Sequence, residues 1–157
     1  MQKKYFSKEQ AIQKLHHYCN YQERSHYEVR QKLWELRINK NDHDEIISKL
    51  IEENYLNEER FAIGFAGGKF RMKDWGRKKI TYALKEKRVS EYNIKKALEK
   101  INNEDYQKII ETLARKKWEL LKSEQYLVRK KKTIDYLVQK GFEYDLIGAV
   151  IKDFSKS

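Results

Sequence analysis

The stretch Phe70-Arg71-Met72-Lys73-Asp74-Trp75-Gly76-Arg77-Lys78-Lys79 gathers five cations and two aromatic rings into ten residues. Guanidinium and ammonium groups neutralise phosphates, and aromatic rings stack on unpaired bases. The mixture therefore has the chemistry of a single-stranded nucleic-acid surface. A second basic run, Arg129-Lys130-Lys131-Lys132, lies downstream, and Trp118 stands beside Lys116-Lys117. Aromatic residues at helical spacing are more often core than platform, so Phe70 is assigned to the core and Trp75 is left open.

The net charge of +11 is unevenly spread. Residues 69–88 hold nine basic and two acidic residues, and residues 115–140 nine basic and three acidic. Residues 41–62 run the other way, with two basic and seven acidic. Such an imbalance calls for an acidic partner, nucleic acid or something that carries it. Taken singly, each run reads as a solvated helical face. Their recurrence favours a binding surface.

Other chemistry is thinly represented. His16, His17 and Cys19 sit together, but a zinc site takes four ligands, or three plus water, and no second cluster completes the set. They read as surface histidines and a buried thiol; His26 and His43 are isolated. Gly64, Gly67 and Gly68 fall inside a helical pattern without the lysine-serine ending of a phosphate-cradling loop. Their spacing would let another helix approach closely. Acidic residues from Asp42 to Glu59 read as helix starts and surface charge, with no constellation that favours a cation-dependent nuclease. Neither catalysis, metal nor cofactor is expected.

The elements that position the basic residues are helices. The chain has no proline and only six glycines, so little interrupts long helices. With 39% apolar and 13% aromatic residues it can build a core despite 38% charge, which argues against disorder. Met1 to Ser7 is followed by no apolar segment of a secretory leader. No apolar run approaches the roughly 18–20 residues that span a bilayer. The single cysteine excludes an internal disulfide and fits a reducing cytoplasm.

Helix starts are marked by two capping boxes, Ser7-Lys8-Glu9-Gln10 and Ser25-His26-Tyr27-Glu28, then by Asn57, Ser90 and Asn103. A further helix is expected from about Asp44, and another from Ser123. The apolar stripes run through Ala11, Leu15, Tyr18 and Cys19; Val29, Leu33 and Leu36; Ile46, Ile47, Leu50 and Ile51; Phe61 and Phe65; Ile80, Ala83 and Leu84; Ile94, Ala97, Leu98 and Ile101; Tyr106, Ile109, Ile110, Leu113 and Ala114; Leu127, Ile134, Leu137 and Val138; and Leu146, Ile147, Val150 and Ile151. Nine helices in three groups of three result.

These groups share a signature: a leucine, a basic or glycine residue four on, then an apolar residue. It occurs at Leu33-Arg37-Ile38, Leu84-Arg88-Val89 and Leu137-Gly141-Phe142, spaced by 51 and 53 residues. A period of that size indicates stacked helical repeats, which make long binding surfaces rather than closed pockets. The repeats are expected over about 7–54, 57–102 and 103–154.

Three segments carry a more specific likeness. Arg24-Ser25-x-x-Glu28-Val29-x-x-Lys32-Leu33, Leu50-Ile51-x-x-x-Tyr55-Leu56-Asn57-Glu58-Glu59-Arg60-Phe61-Ala62, and Trp75-Gly76-x-x-x-Ile80-x-x-x-Leu84-x-x-Lys87 resemble the RecX family over about residues 15–152. The resemblance implies an all-α, elongated, curved stack of three tandem three-helix repeats. It also implies a protein that binds the RecA–single-stranded-DNA filament in its groove and inhibits RecA ATPase and strand exchange. Such a protein would act as a cytoplasmic monomer, without membrane association.

The candidate contacts are Arg71, Lys73, Arg77, Lys78 and Lys79, all expected to be exposed, with Arg30, Arg129, Lys130 and Lys131 behind them. The rival reading is a general DNA-binding module that works on free DNA without RecA. One departure from the family bears on shape. Its lysine-glycine pair at middle-helix ends survives only as Lys140-Gly141, with Arg37 and Arg88 in the slot elsewhere. Left-handed backbone is costly for non-glycine residues, so those two ends are expected to be shaped differently.

Overall fold

The computed structural model describes residues 6–154, and the reading of the first residues as no secretory leader falls largely outside them. The described residues form α1 (Lys8–Tyr21), α2 (His26–Glu35), α3 (Lys40–Glu52), α4 (Glu58–Lys73), α5 (Arg77–Glu86), α6 (Glu91–Glu99), α7 (Asn103–Leu120), α8 (Tyr126–Gln139) and α9 (Tyr144–Phe154), with no strand among them.

Local sequence sets most helix starts. Ser7 and Ser25 each close a full capping box, with Gln10 and Glu28 reaching back to the cap amide. Asn57, Ser90 and Asn102 accept the amides of Arg60, Asn93 and Asp105 at 2.9, 3.2 and 3.0 Å. Three starts differ from expectation, the first by one residue, since Asn102 rather than Asn103 caps α7. Asn39 accepts the Asn41 amide at 3.0 Å and opens α3 at Lys40, ahead of Asp44. Leu121 to Glu124 form a turn, so α8 begins at Tyr126 rather than Ser123.

The recurring leucine signature proves to be a helix ending used three times. Arg37, Arg88 and Gly141 have φ of 58°, 59° and 98°. The amides of Ile38, Val89 and Phe142 turn back to the carbonyls of Leu33, Leu84 and Leu137 at 3.0, 3.1 and 3.1 Å. In each case the leucine is fully buried and the apolar partner five residues on is at most 6% exposed. This is the left-handed cap with its hydrophobic contact. Arg37 and Arg88 therefore take the same shape as the glycine, contrary to expectation, because the buried apolar contact holds them in a conformation that costs them free energy. Arg37→Gly is expected to stabilise the protein by about 0.5–1 kcal/mol, raising Tm by roughly 1–4 °C in a calorimetric scan. Arg88→Gly should gain less, since the Arg88 guanidinium lies 4.8 Å from the Tyr27 ring centroid.

The helices gather into two compact units, one of described residues up to Gly64 with Leu84–Lys96, the other of Phe65–Ala83 with Ala97 onward. In the first, Ala11, Leu15, Val29, Leu33, Ile46, Leu50 and Leu56 form the core. His43 is buried there rather than isolated on the surface; its Nε2 donates to the Ile38 carbonyl at 2.9 Å, and the Trp34 ring meets it edge-on. In the second, Phe70 stacks on Tyr106 and Phe142 packs tilted against it, with centroids 5.7 and 5.4 Å apart.

The apolar stripes need four corrections. Ile51 and Val138 are 44% and 45% exposed, because each follows a fully buried leucine by one position and so points about 100° away from it. Leu127 is 74% exposed, and the inner face of α8 is the expected Leu137 together with Thr133. Thr133 keeps its hydroxyl satisfied by donating to the Arg129 carbonyl at 2.8 Å. Phe65 is half-buried, edge-on to Trp75.

Candidate nucleic-acid interface

The basic segment folds as a corner between α4 and α5. Asp74 takes a left-handed φ of 55° and ends α4. Gly76 then meets the end of α8: its amide donates to the Lys140 carbonyl at 2.8 Å, and the Lys78 amide donates to the Gly141 carbonyl at 2.9 Å. A Cβ on Gly76 would lie 2.3 Å from the Gly141 carbonyl carbon. Close backbone approach in this chain is thus at Gly76 and Gly141, not at the glycines of α4. Gly64 and Gly68 face open space, and Gly67 makes room for the Arg71 guanidinium, whose Nη1 comes within 2.7 Å of where a Cβ would be.

Arg71 and Lys73 stand exposed on the last turn of α4, and Lys78 and Lys79 on the first turn of α5. None of the four forms an ion pair among the described residues. The first turn of α5 has no acidic residue, so Lys78 and Lys79 add to the positive end of the helix dipole, where a cation costs stability and an anion is attracted. Trp75 is half-buried at the corner, with Lys69 and Lys79 amines 5.0 and 4.8 Å from its ring centroid. Cation–aromatic contact thus holds two of the amines beside the indole.

Arg77 differs from its neighbours. Its Nη1 pairs with Glu143 at 2.8 Å, Nη2 donates to Asn103 Oδ1 at 2.8 Å, and the guanidinium covers the Tyr106 ring at 3.8 Å. The Tyr106 hydroxyl accepts the Arg77 amide at 3.0 Å and donates to Glu143. Burial, reinforced by the bond to Glu143, raises the Tyr106 phenol far above its ordinary pKa. With its side chain only 25% exposed, Arg77 fastens α5 to α7 and the start of α9; the expectation of a free surface cation is corrected.

The secondary candidates are dispersed. Arg30 pairs with Asp44 at 2.8 Å and holds that carboxyl below its usual range. Arg129 donates to the Trp118 carbonyl at 2.8 Å and covers the Trp118 ring at 4.0 Å, anchoring α8 to α7. Lys131 pairs with Asp135 at 2.8 Å, whereas Lys130 is exposed and forms no ion pair among the described residues. The Cys19 thiol is buried and pushed up to about 11, chiefly by desolvation. His16 stacks on Tyr55 and lies 3.4 Å from Glu53. Among the described residues no three His, Cys, Asp or Glu side chains converge as metal ligands, and no helix is long and apolar enough to cross a membrane.

Sequence reasoning missed Lys69, which runs alongside Trp75, and Met72, 81% exposed between Arg71 and Lys73. The burial of Phe70 was the available signal: two residues on, a helix points to the opposite side.

A helical chain of this architecture, with a basic corner in its second helical triplet, has clear relatives. Residues 57–98 match the second three-helix domain of RecX and residues 104–151 the third. Regulatory protein RecX of Clostridium perfringens strain 13 is 34% identical over 128 residues, covering 80% of this chain and 59% of the relative. That of Leuconostoc mesenteroides is 28% identical over 124 residues, covering 79% and 46%. The crystal structure of RecX from Lactobacillus salivarius aligns with a TM-score of 0.87 at 27% identity, over 96% of this chain and 97% of that one. The chain belongs to the RecX family of regulatory proteins. It spans 59% and 46% of the lengths of the Clostridium and Leuconostoc relatives.

Proposed function

We propose that this protein binds the RecA–single-stranded-DNA filament and inhibits RecA ATPase and strand exchange, acting as a cytoplasmic monomer. Membership of the RecX family supports the partner. The observation that carries the surface is the corner at residues 71–79, where four exposed cations have no ion-pair partner among the described residues. Arg71, Lys73, Lys78 and Lys79 meet the DNA phosphates and the groove of the filament, and occupying that groove restricts both protomer motion and DNA access. Lys130 is a secondary contact, and Arg30, Arg129 and Lys131 contribute only by exchanging their present partners.

Affinity for filament and for bare single-stranded DNA, measured side by side at one salt concentration, tests the reading. Filament binding is expected to be tighter and to fall less steeply with salt, because bare DNA offers phosphate contacts alone. Equal affinities with equal salt slopes would make the chain a general DNA-binding module.

A further inference from the structure

The groove between α1 and α2 lies in residues that neither matched RecX domain covers. Its volume is about 690 Å3, within the range of sites for small organic ligands. Phe6, Tyr18 and Leu36 supply its apolar lining, and Lys14 and Lys32 its charge. Gln10, Gln13 and His17 add hydrogen-bonding groups, and no acidic side chain lines it among the described residues.

The amines stand near the rings: Lys14 Nζ is 4.6 Å from the Phe6 centroid and Lys32 Nζ 5.4 Å from that of Tyr18. Tyr18 is held in place by Arg24, whose guanidinium covers the ring at 3.7 Å and whose Nε donates to the Tyr18 carbonyl at 3.0 Å. Gln10 uses its Oε1 to cap the Ser7 amide at 2.9 Å, which leaves its NH2 as a donor. Lys32 also meets Glu35 at 3.5 Å, a partly exposed pair that a phosphate can displace.

Rings beside amines, with amides at hand, match a nucleotide. A planar base covers the aromatic lining, an amide reads its edge, and the phosphate meets an ammonium. An acidic peptide would satisfy Lys14 and Lys32 but offer the rings and amides nothing in particular. We propose that the α1–α2 groove binds a nucleotide unit of a single DNA strand, as a second contact separate from the basic corner of α4 and α5.

Titration of the isotope-labelled full chain with oligothymidylate, followed by amide NMR, tests this. The signals of Gln10, Gln13 and Lys14 are expected to shift, and thymidine monophosphate should shift the same signals at higher concentration. Lys14→Glu/Lys32→Glu should weaken the response of those signals by at least about tenfold. Both side chains lie outside the core, so helicity should be unchanged. Shifts confined to α4 and α5 would overturn the groove site while leaving the filament reading intact. Equal shifts with polyglutamate would overturn it as well, and saturation by the mononucleotide with no response to the oligonucleotide would remove the strand as its ligand.

Discussion

Gly141→Ala is expected to destabilise the protein by about 3 kcal/mol, seen as a lower denaturant midpoint at unchanged slope. Gly141 has φ 98°, and an added Cβ would lie 2.4 Å from Lys79 Cβ and 2.6 Å from the Lys79 amide nitrogen. The left-handed backbone accounts for about 1–2 kcal/mol of the loss. The rest comes from forcing apart α5 and the end of α8, which strains the Gly76–Lys140 and Lys78–Gly141 hydrogen bonds, each worth about 1 kcal/mol. Gly76→Ala should cost as much, since its Cβ would enter the Gly141 backbone. Gly64→Ala is the control: the site is helical with nothing within 4 Å, so alanine should stabilise it by up to about 1 kcal/mol. A Gly141→Ala variant within about 1 kcal/mol of wild type would show that the backbone contact is not tight.

The second large effect concerns binding. Reversing Arg71, Lys73, Lys78 and Lys79 together to glutamate changes charge by two units at each of four exposed positions. Attraction to phosphate becomes repulsion, and filament affinity should fall by roughly two to three orders of magnitude at low salt. Arg77 is left out because Arg77→Glu would set a carboxylate against Glu143 and release Asn103 and Tyr106. Loss of function there would reflect lost structure. Asp44, Glu45, Glu52 and Glu53 to lysine is the matching control on exposed positions of α3 and its end. Equal losses in both variants, measured as filament dissociation constants, would show that charge reversal as such is responsible.

What the sequence disclosed depended on range. Ser7, Ser25, Asn57 and Ser90 act on amides three residues away, so capping was legible. The leucine signature was legible as a repeat, but not that Arg37 and Arg88 would be held left-handed by the burial of Ile38 and Val89. In α8 Leu137 was legible as core, but Leu127 belongs to an exposed first turn and a threonine holds the other buried position. The candidate site suffered most where partners are distant. Arg77 and Glu143 are 66 residues apart, and Gly76 meets Gly141 across a similar interval; no local pattern links them. Lys78 and Lys79 read as exposed and are so, although the distant Gly141 that their backbone packs against was not legible. Gly67 looked like a helix-packing site, yet its space is filled by a side chain one turn on.

The most direct measurement is ATP hydrolysis by RecA on single-stranded DNA, titrated with this protein and with the variant reversed at Arg71, Lys73, Lys78 and Lys79. The account predicts that the wild-type chain suppresses hydrolysis in step with its binding to the filament, and that the folded variant leaves hydrolysis unchanged at the same concentrations. Undiminished hydrolysis on filaments saturated with the wild-type chain would contradict the inhibitory role, and suppression by the variant at wild-type concentrations would contradict the surface assigned to it.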